Sequence, residues 1–239
     1  MKKFLVIIPA YNEEKNIGHV VEGIRRHEPS LDILVVNDGS TDSTSDVLRG
    51  LNVDTINLPF NLGYGGALQT GFKYAVEKDY DFVVQFDADG QHLPEDIKKL
   101  LRPLFEEDAD IVVGSRFMEG RGYKPSISRR LGMILFGLLT ATITKQRFTD
   151  VTSGFQALSK KTVKFYSKKG NYPSDFPDAD VLAMMSLSGF KIVEVSVKMF
   201  GREKGESMHS GYRAIIYVLK MLLSIFIVLL RKREVKGCL

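Results

Sequence analysis

The chain has 239 residues, 44% hydrophobic and 26% charged, enough to bury a substantial core as one large domain or a domain with an appendage. A net charge of +4, with no basic run interleaved with aromatics, argues against a dedicated nucleic-acid binder. The single cysteine, Cys238, excludes an internal disulfide and a cysteine-based zinc site. Met1-Lys2-Lys3 ahead of an apolar run looks like the opening of a signal peptide, but Pro9 and Asn12-Glu13-Glu14 cut that run short, so residues 4–9 read as a first strand. Asn12 is placed to cap a helix reaching about Arg26, with Ile17, Val20, Val21 and Ile24 as its apolar stripe. Residues 32–36 form a second strand, after which Ser40 or Thr41 can cap a helix carrying Val47 and Leu48. A third strand over 53–58 leads through Asn61-Leu62-Gly63-Tyr64-Gly65-Gly66 into a helix with Ala67, Phe72 and Ala75. Residues 82–86 make a fourth strand, 94–105 a helix with Pro94 in its first turn, and 111–113 a fifth strand. Such alternation predicts an α/β fold with a mainly parallel, twisted sheet flanked by helices.

Beyond Arg116 the pattern changes. Residues 131–143 are thirteen mostly apolar positions, too short to span a bilayer and readable either as a core helix or as a membrane contact. Residues 154–158 and 191–197 read as further strands with a helix over 181–187 between them.

The chemistry collects where the strands end. Asp87-Ala88-Asp89-Gly90-Gln91-His92 follows the fourth strand directly, setting two carboxylates one residue apart at the edge where parallel sheets bind ligands. Oxygen ligands of this kind suit Mg²⁺ or Mn²⁺ holding a substrate's phosphates, although Asp and Gly are also ordinary turn residues. The first strand delivers Pro9-Ala10-Tyr11-Asn12-Glu13 to the same edge, the second Asn37-Asp38-Gly39-Ser40, the fifth Gly114-Ser115-Arg116. Gly39-Ser40 and Gly63–Gly66 also read as turns and helix caps. Gly63-x-Gly65 lacks the third glycine of a dinucleotide fingerprint and follows the third strand.

Taken in order, Pro9-Ala10-Tyr11-Asn12-Glu13, Val36-Asn37-Asp38-Gly39-Ser40, Asn61-x-Gly63, the Asp87-to-His92 segment, Gly114-Ser115-Arg116 and Ser153-Gly154-Phe155 resemble the GT-A family 2 glycosyltransferases. The branch they are similar to contains dolichyl-phosphate mannose synthase and bacterial polyprenyl-phosphate sugar synthases, and the resemblance runs from about Phe4 to Ser207. It implies a Rossmann-like GT-A catalytic domain over 1–210 followed by an apolar C-terminal helix over 211–239. By position, it places Pro9, Tyr11 and Glu13 around the base and ribose of a UDP- or GDP-linked sugar, with Asp38 contacting the nucleoside and Gly63 and Ala88 in the same site. Asn37 stands where Asp is more usual, and Asn both donates and accepts where Asp only accepts. Asp87, Asp89 and Gln91 match positions that hold the metal and diphosphate, and His92 positions their loop. Arg116, with Arg129 or Arg130, matches residues that grip an acceptor phosphate, with Ser153 beside them and Asp150 bracing that loop. Arg202 matches a late segment that clamps the leaving diphosphate. Asp178 or Asp180 stands where the family has an acidic group near the acceptor, and placement at the positive end of a helix accounts for the same carboxylates.

The implied reaction is metal-dependent, inverting transfer of a sugar to an undecaprenyl or dolichyl phosphate on the cytoplasmic side of a membrane. A lipid monophosphate, with a second pKa near ~6, is largely ionised and needs no protein base. A sugar hydroxyl would need one, and Asp175, Asp178 and Asp180 are the candidates. The alternatives are a glycosyltransferase extending a polysaccharide or glycolipid at a hydroxyl, a non-catalytic nucleotide-sugar-binding subunit, and a nucleotidyltransferase.

From Lys191 onward ten Lys and Arg stand against four Glu, a basic excess beside apolar sequence that suits anionic lipid. Residues 214–230 would reach roughly 26 Å as a helix, short of a ~30 Å hydrocarbon core. Arg213, Tyr217, Lys220, Ser224 and Arg231 share one face of it. An in-plane membrane anchor, a contact with a small membrane-protein subunit or a second copy, and a tilted span all fit. A span would put Arg231-Lys232-Arg233 outside, against the positive-inside tendency.

Overall fold

The computed structural model describes residues 2–118, 127–175, 177–200 and 212–235, with side chains described throughout except in 127–133, 212–217 and 231–235. Strand β1 (Phe4–Ala10) shows how one sheet supports two cores. Leu5 and Ile7 join one apolar cluster while Val6, Ile8 and Ala10 join the other, because alternate side chains leave opposite faces. Its unbroken apolar run is what a strand covered on both sides requires. Helix α1 (Ile17–His27) lays its stripe on the second face. Then come β2 (Asp32–Asn37), α2 (Thr44–Leu51), β3 (Asp54–Asn57), α3 (Tyr64–Glu77) and β4 (Phe82–Gln85). A 3-10 turn (Pro94–Asp96) precedes α4 (Ile97–Glu106) and β5 (Ile111–Ser115). The later elements are α5 (Ile127–Thr144), β6 (Gln156–Ser159), α6 (Lys160–Ser167), α7 (Ala179–Leu187), β7 (Ile192–Ser196) and α8 (Tyr212–Val235).

The seven strands are ordered β3-β2-β1-β4-β6-β5-β7. β1 runs parallel to β2 and β4, β2 to β3, and β5 to β7, whereas β6 is antiparallel to both β4 and β5. The sheet is therefore mainly parallel, as expected from sequence, with one reversed strand, β6, that makes it mixed. The cause is topological: the chain leaves β5 at the ligand edge and re-enters the sheet from that same edge. The beginning of β6 thus lies beside the end of β4. Chain order diverges between β1 and β4, which opens a crevice at their carboxyl ends.

Two helix starts also differ from expectation. Asn12 does not cap α1; it adopts φ 56° and its side-chain oxygen accepts from the Thr41 amide at 2.8 Å, tying the β1 and β2 loops together. Asn16 is the residue at the start of α1. Ser40 and Thr41 give way to Ser43 at the start of α2, where Asp42 Oδ1 accepts from the Thr44 amide at 3.0 Å.

The apolar segment over 131–143 lies within α5 and has two sides. Phe136 is buried, with Leu139 and Ile143 against the first cluster, while Ile134, Leu135 and Leu138 face outward. Helix α8 buries Met221 and Ile225, and two of its polar positions meet acids near α7: exposed Lys220 Nζ reaches Asp175 Oδ2 at 2.5 Å, and the half-buried Ser224 hydroxyl bonds Asp180 Oδ2. Leu219, Leu223, Phe226 and Leu230 are left exposed. Among the described residues no helix is long and apolar enough to cross a membrane.

Candidate active site

Phe86, fully buried, ends the fourth strand's run and packs edge-on against Phe155 and His92, with ring centroids at 5.2 and 5.6 Å. This packing fixes the next residue. Asp87 Oδ1 accepts from the Tyr64 hydroxyl at 2.8 Å, and Oδ2 accepts from His92 Nε2 at 3.0 Å. Burial would raise the Asp87 carboxyl, but the hydrogen bond and charge of His92, the Tyr64 bond and the charge of Arg116 outweigh it and hold it below the usual carboxylate value. Tyr64 is pushed the other way, first by burial and then by the charge of Asp87, so it remains a donor. A Cβ on Gly154 would meet the Tyr64 hydroxyl at 2.5 Å and Asp87 Oδ2 at 3.1 Å, so this position tolerates only glycine without movement of both groups. His92 stacks on Phe155 with centroids 4.7 Å apart and acts on Asp87 rather than on the solvent edge.

Asp89 Oδ1 accepts from the Gln91 amide at 3.0 Å across Gly90, whose φ is 74°. Gln91 Nε2 donates to the Phe200 carbonyl at 2.9 Å, and the Phe200 amide returns a bond to the Gln91 carbonyl at 3.0 Å. The loop carrying both aspartates is thereby stitched to the residues leading towards Arg202, which itself lies outside the described residues.

At the ends of β1 and β2, Pro9 is buried and Tyr11 is exposed, while buried Glu13 accepts from Asn16 Nδ2 at 2.7 Å. Asp38 accepts from the Leu62 and Gly63 amides at 2.7 and 3.0 Å, drawing Gly63, at φ 86°, against it. Burial outweighs those two bonds and raises the Asp38 carboxyl. Asn37 bridges Ser45 and Asn57, and Ala88 is buried in the second cluster.

On the opposite side, Arg116 Nε and Nη2 engage Asp150 at 2.5 and 2.6 Å, with side chains 4% and 0% exposed, and Nη2 also reaches Thr152 Oγ1 at 2.7 Å. Ser153 Oγ donates to the Gly114 carbonyl at 2.6 Å. Arg129 and Arg130 fall in α5, but their side chains lie outside the described residues. Asp178 sits at the start of α7, and its charge reaches the phenols of Tyr64 and Tyr172. Asp180 accepts from the amides of Asp178 and Val181 at 3.1 and 2.8 Å and from Ser224. Burial outweighs these bonds and raises its carboxyl.

Asp87 and Asp89 fit a divalent ion of the Mg²⁺ or Mn²⁺ type. Among the described residues no group of three or more His, Cys, Asp or Glu forms a metal cage. Two carboxylates with substrate phosphates and water completing the shell are the usual arrangement for Mg²⁺, and they would not make a structural zinc site. Tyr64 and Thr152 were not singled out from the sequence, since each acts on a partner far along the chain.

This constellation on a seven-stranded mixed sheet is that of a nucleotide-sugar-dependent glycosyltransferase, and the chain belongs to the family described as Glycosyl transferase family 2, whose sequence pattern matches residues 5–166. It is 32% identical over 243 residues to UDP-N-acetylglucosamine–dolichyl-phosphate N-acetylglucosaminyltransferase of Methanococcus voltae, covering 92% of this chain and 96% of the relative. It is 31% identical over 216 residues to undecaprenyl-phosphate mannosyltransferase of Micrococcus luteus, covering 87% and 88%. Its fold is shared by glucosyl-3-phosphoglycerate synthase from Mycobacterium tuberculosis, solved with Mn²⁺ and UDP-glucose, at TM-score 0.69 and 20% identity over 94% of this chain and 79% of that one.

Proposed function

We propose that this glycosyltransferase moves a sugar from a UDP- or GDP-linked donor to a polyprenyl phosphate, with inversion, at the cytoplasmic surface of a membrane. The observation that carries the reading is α8, which fastens Lys220 and Ser224 to Asp175 and Asp180 and leaves Leu219, Leu223, Phe226 and Leu230 exposed. An elongated lipid acceptor needs such an apolar approach beside the reacting phosphate, and the relatives named for dolichyl and undecaprenyl phosphates support it. The catalytic unit is residues 1–210, and residues 211–239 attach it to the surface, to a small membrane-protein subunit, or to a second copy.

A bound Mg²⁺ or Mn²⁺ would neutralise the charge that develops on the leaving diphosphate. The chain's own residues prepare that site. His92 and Tyr64 keep Asp87 ionised and oriented, and the Asp89–Gln91 turn fixes the second carboxylate. Arg116, held flat by Asp150 and Thr152, sets a positive field beside them. The acceptor phosphate is already ionised, so no residue need remove a proton. A hydroxyl acceptor is the second reading. It is favoured by Asp178, whose charge reaches Tyr64, as the proton acceptor, while Asp180 is occupied by α8.

The test is transfer from a panel of labelled nucleotide-sugars to polyprenyl phosphate in detergent, with Mn²⁺ or EDTA and Asp89→Ala as control. The expected result is a metal-dependent lipid-linked product that the variant does not form. Donor binding without any glycosylated lipid phosphate would overturn the acceptor assignment. Localisation is tested by sedimentation with anionic vesicles, where Leu223→Glu with Phe226→Glu should release the protein.

A further inference from the structure

The amide cluster between β2 and β3 has a defined polarity. Asn37 and Asn57 are direct neighbours in the parallel register of these strands. Asn37 Oδ1 accepts from the Ser40 backbone amide at 3.2 Å, a donor whose identity is not in question, so the other end of the Asn37 side chain is its NH2. That NH2 donates to Ser45 Oγ at 2.7 Å and to Asn57 Oδ1 at 2.8 Å. With its oxygen turned inward, Asn57 presents its own NH2 away from Asn37, on an exposed residue at the carboxyl end of β3. Ser45, having accepted from Asn37, has its O–H left to donate. Neither Asn57 Nδ2 nor Ser45 Oγ donates a hydrogen bond among the described residues. Asn37 itself, buried and fully engaged, has no hydrogen left for a ligand.

We infer that Asn57, oriented by Asn37, is a specificity-determining residue that donates to an exocyclic carbonyl of the donor's nucleobase, so the site selects keto bases such as uracil or guanine over adenine. This rests on the nucleotide-sugar reading of the edge formed by β1, β2 and β3. It also assigns a role to the amide at position 37. An aspartate there would accept from Asn57 and reverse it, turning an oxygen outward in place of the NH2.

The test is calorimetric binding of UDP, GDP and ADP in the presence of Mn²⁺ to the wild-type chain, Asn57→Ala and Asn37→Asp. Circular dichroism confirms that each variant is folded. The wild type should bind UDP or GDP more tightly than ADP. Asn57→Ala should weaken the preferred nucleotide about tenfold, the scale of one lost hydrogen bond in a binding site, with ADP unchanged. Asn37→Asp should reduce the same preference with Asn57 intact. Equal losses for all three nucleotides, or none, would overturn the role of Asn57 while leaving the nucleotide site standing. If the wild type binds none of the three, both the inference and the nucleotide-sugar reading fail.

Discussion

Asp87 and Asp180 are both carboxylates set among tyrosines, yet the protein drives them in opposite directions. At the end of β4, His92 and Arg116 supply positive charge and Tyr64 a hydrogen bond, and Asp87 stays ionised. At the junction of α7 and α8, Asp180 receives neutral partners among the described residues, backbone amides and the Ser224 hydroxyl, and burial prevails. Burial alone therefore does not mark a catalytic acid or base. Here the neighbouring charge separates a carboxylate kept ionised, able to meet a cation, from one that fastens two helices.

The largest way to break this contrast is at Arg116. Arg116→Ala leaves Asp150 buried and unpaired, and urea denaturation should show a loss of about 3–5 kcal/mol. Replacing both partners by Met and Leu should recover much of it. Asp89→Ala should lower transfer by about 10²–10³-fold with little change in the urea midpoint, and excess EDTA should lower wild-type activity comparably. His92→Phe retains the stack on Phe155 but removes the donor to Asp87. Mn²⁺ titration should show metal affinity weakened by about 10–100-fold, as for other residues that orient a ligand.

Smaller effects sharpen the other half of the comparison. Ser224→Ala should cost about 1 kcal/mol, one net hydrogen bond. For Asp180 the raised folded-state pKa means that the native state holds its proton more tightly than the unfolded chain. Stability linked to this group is full below the unfolded value of about 3.9, falls as pH rises to the folded value, and is constant above it. Asp180→Asn should remove that part of the decline in urea-unfolding curves taken across this window. It should also leave lipid-phosphate transfer within about tenfold of wild type, since one lost net hydrogen bond is worth only about 0.5–1.5 kcal/mol and about 1.4 kcal/mol is a factor of ten. A loss of several hundredfold with the fold intact would instead make Asp180 the base for a hydroxyl acceptor.

Much of this arrangement could be read from residue order. Val83 and Val84 ahead of Asp87 give a buried strand ending in carboxylates, and Leu5 and Ile7 alternating with Val6 and Ile8 give a sheet covered on both faces. The direction of β6 could not, because a period-two pattern is the same read either way. Helix α6 was missed although Ser159 accepts from the Thr162 amide at 3.4 Å, since Lys160-Lys161-Thr162 reads as polar and the segment is short. The partnership of Tyr64, His92 and Gly154 around Asp87 joins three separate stretches of chain, and no local spacing reports it. The polar stripe of Lys220 and Ser224 was legible, but the side it faces depends on acids more than forty residues upstream.

The reversed β6 also governs the order in which the enzyme becomes competent. Strands β1 to β4 pair within residues 4–85, so the edge proposed to hold the nucleoside can form as soon as they emerge. The pairing of Val83 with Leu158 and the contact of Gly154 with Asp87 wait until residues 154–158 have emerged, although the loop they close is no longer than the one between β1 and β4. A chain halted before β6 would present the edge proposed for the nucleotide with no Gly154 beside Asp87 and no Asp150 beside Arg116. Competence for transfer is thus acquired late, after the edge proposed to hold a nucleoside.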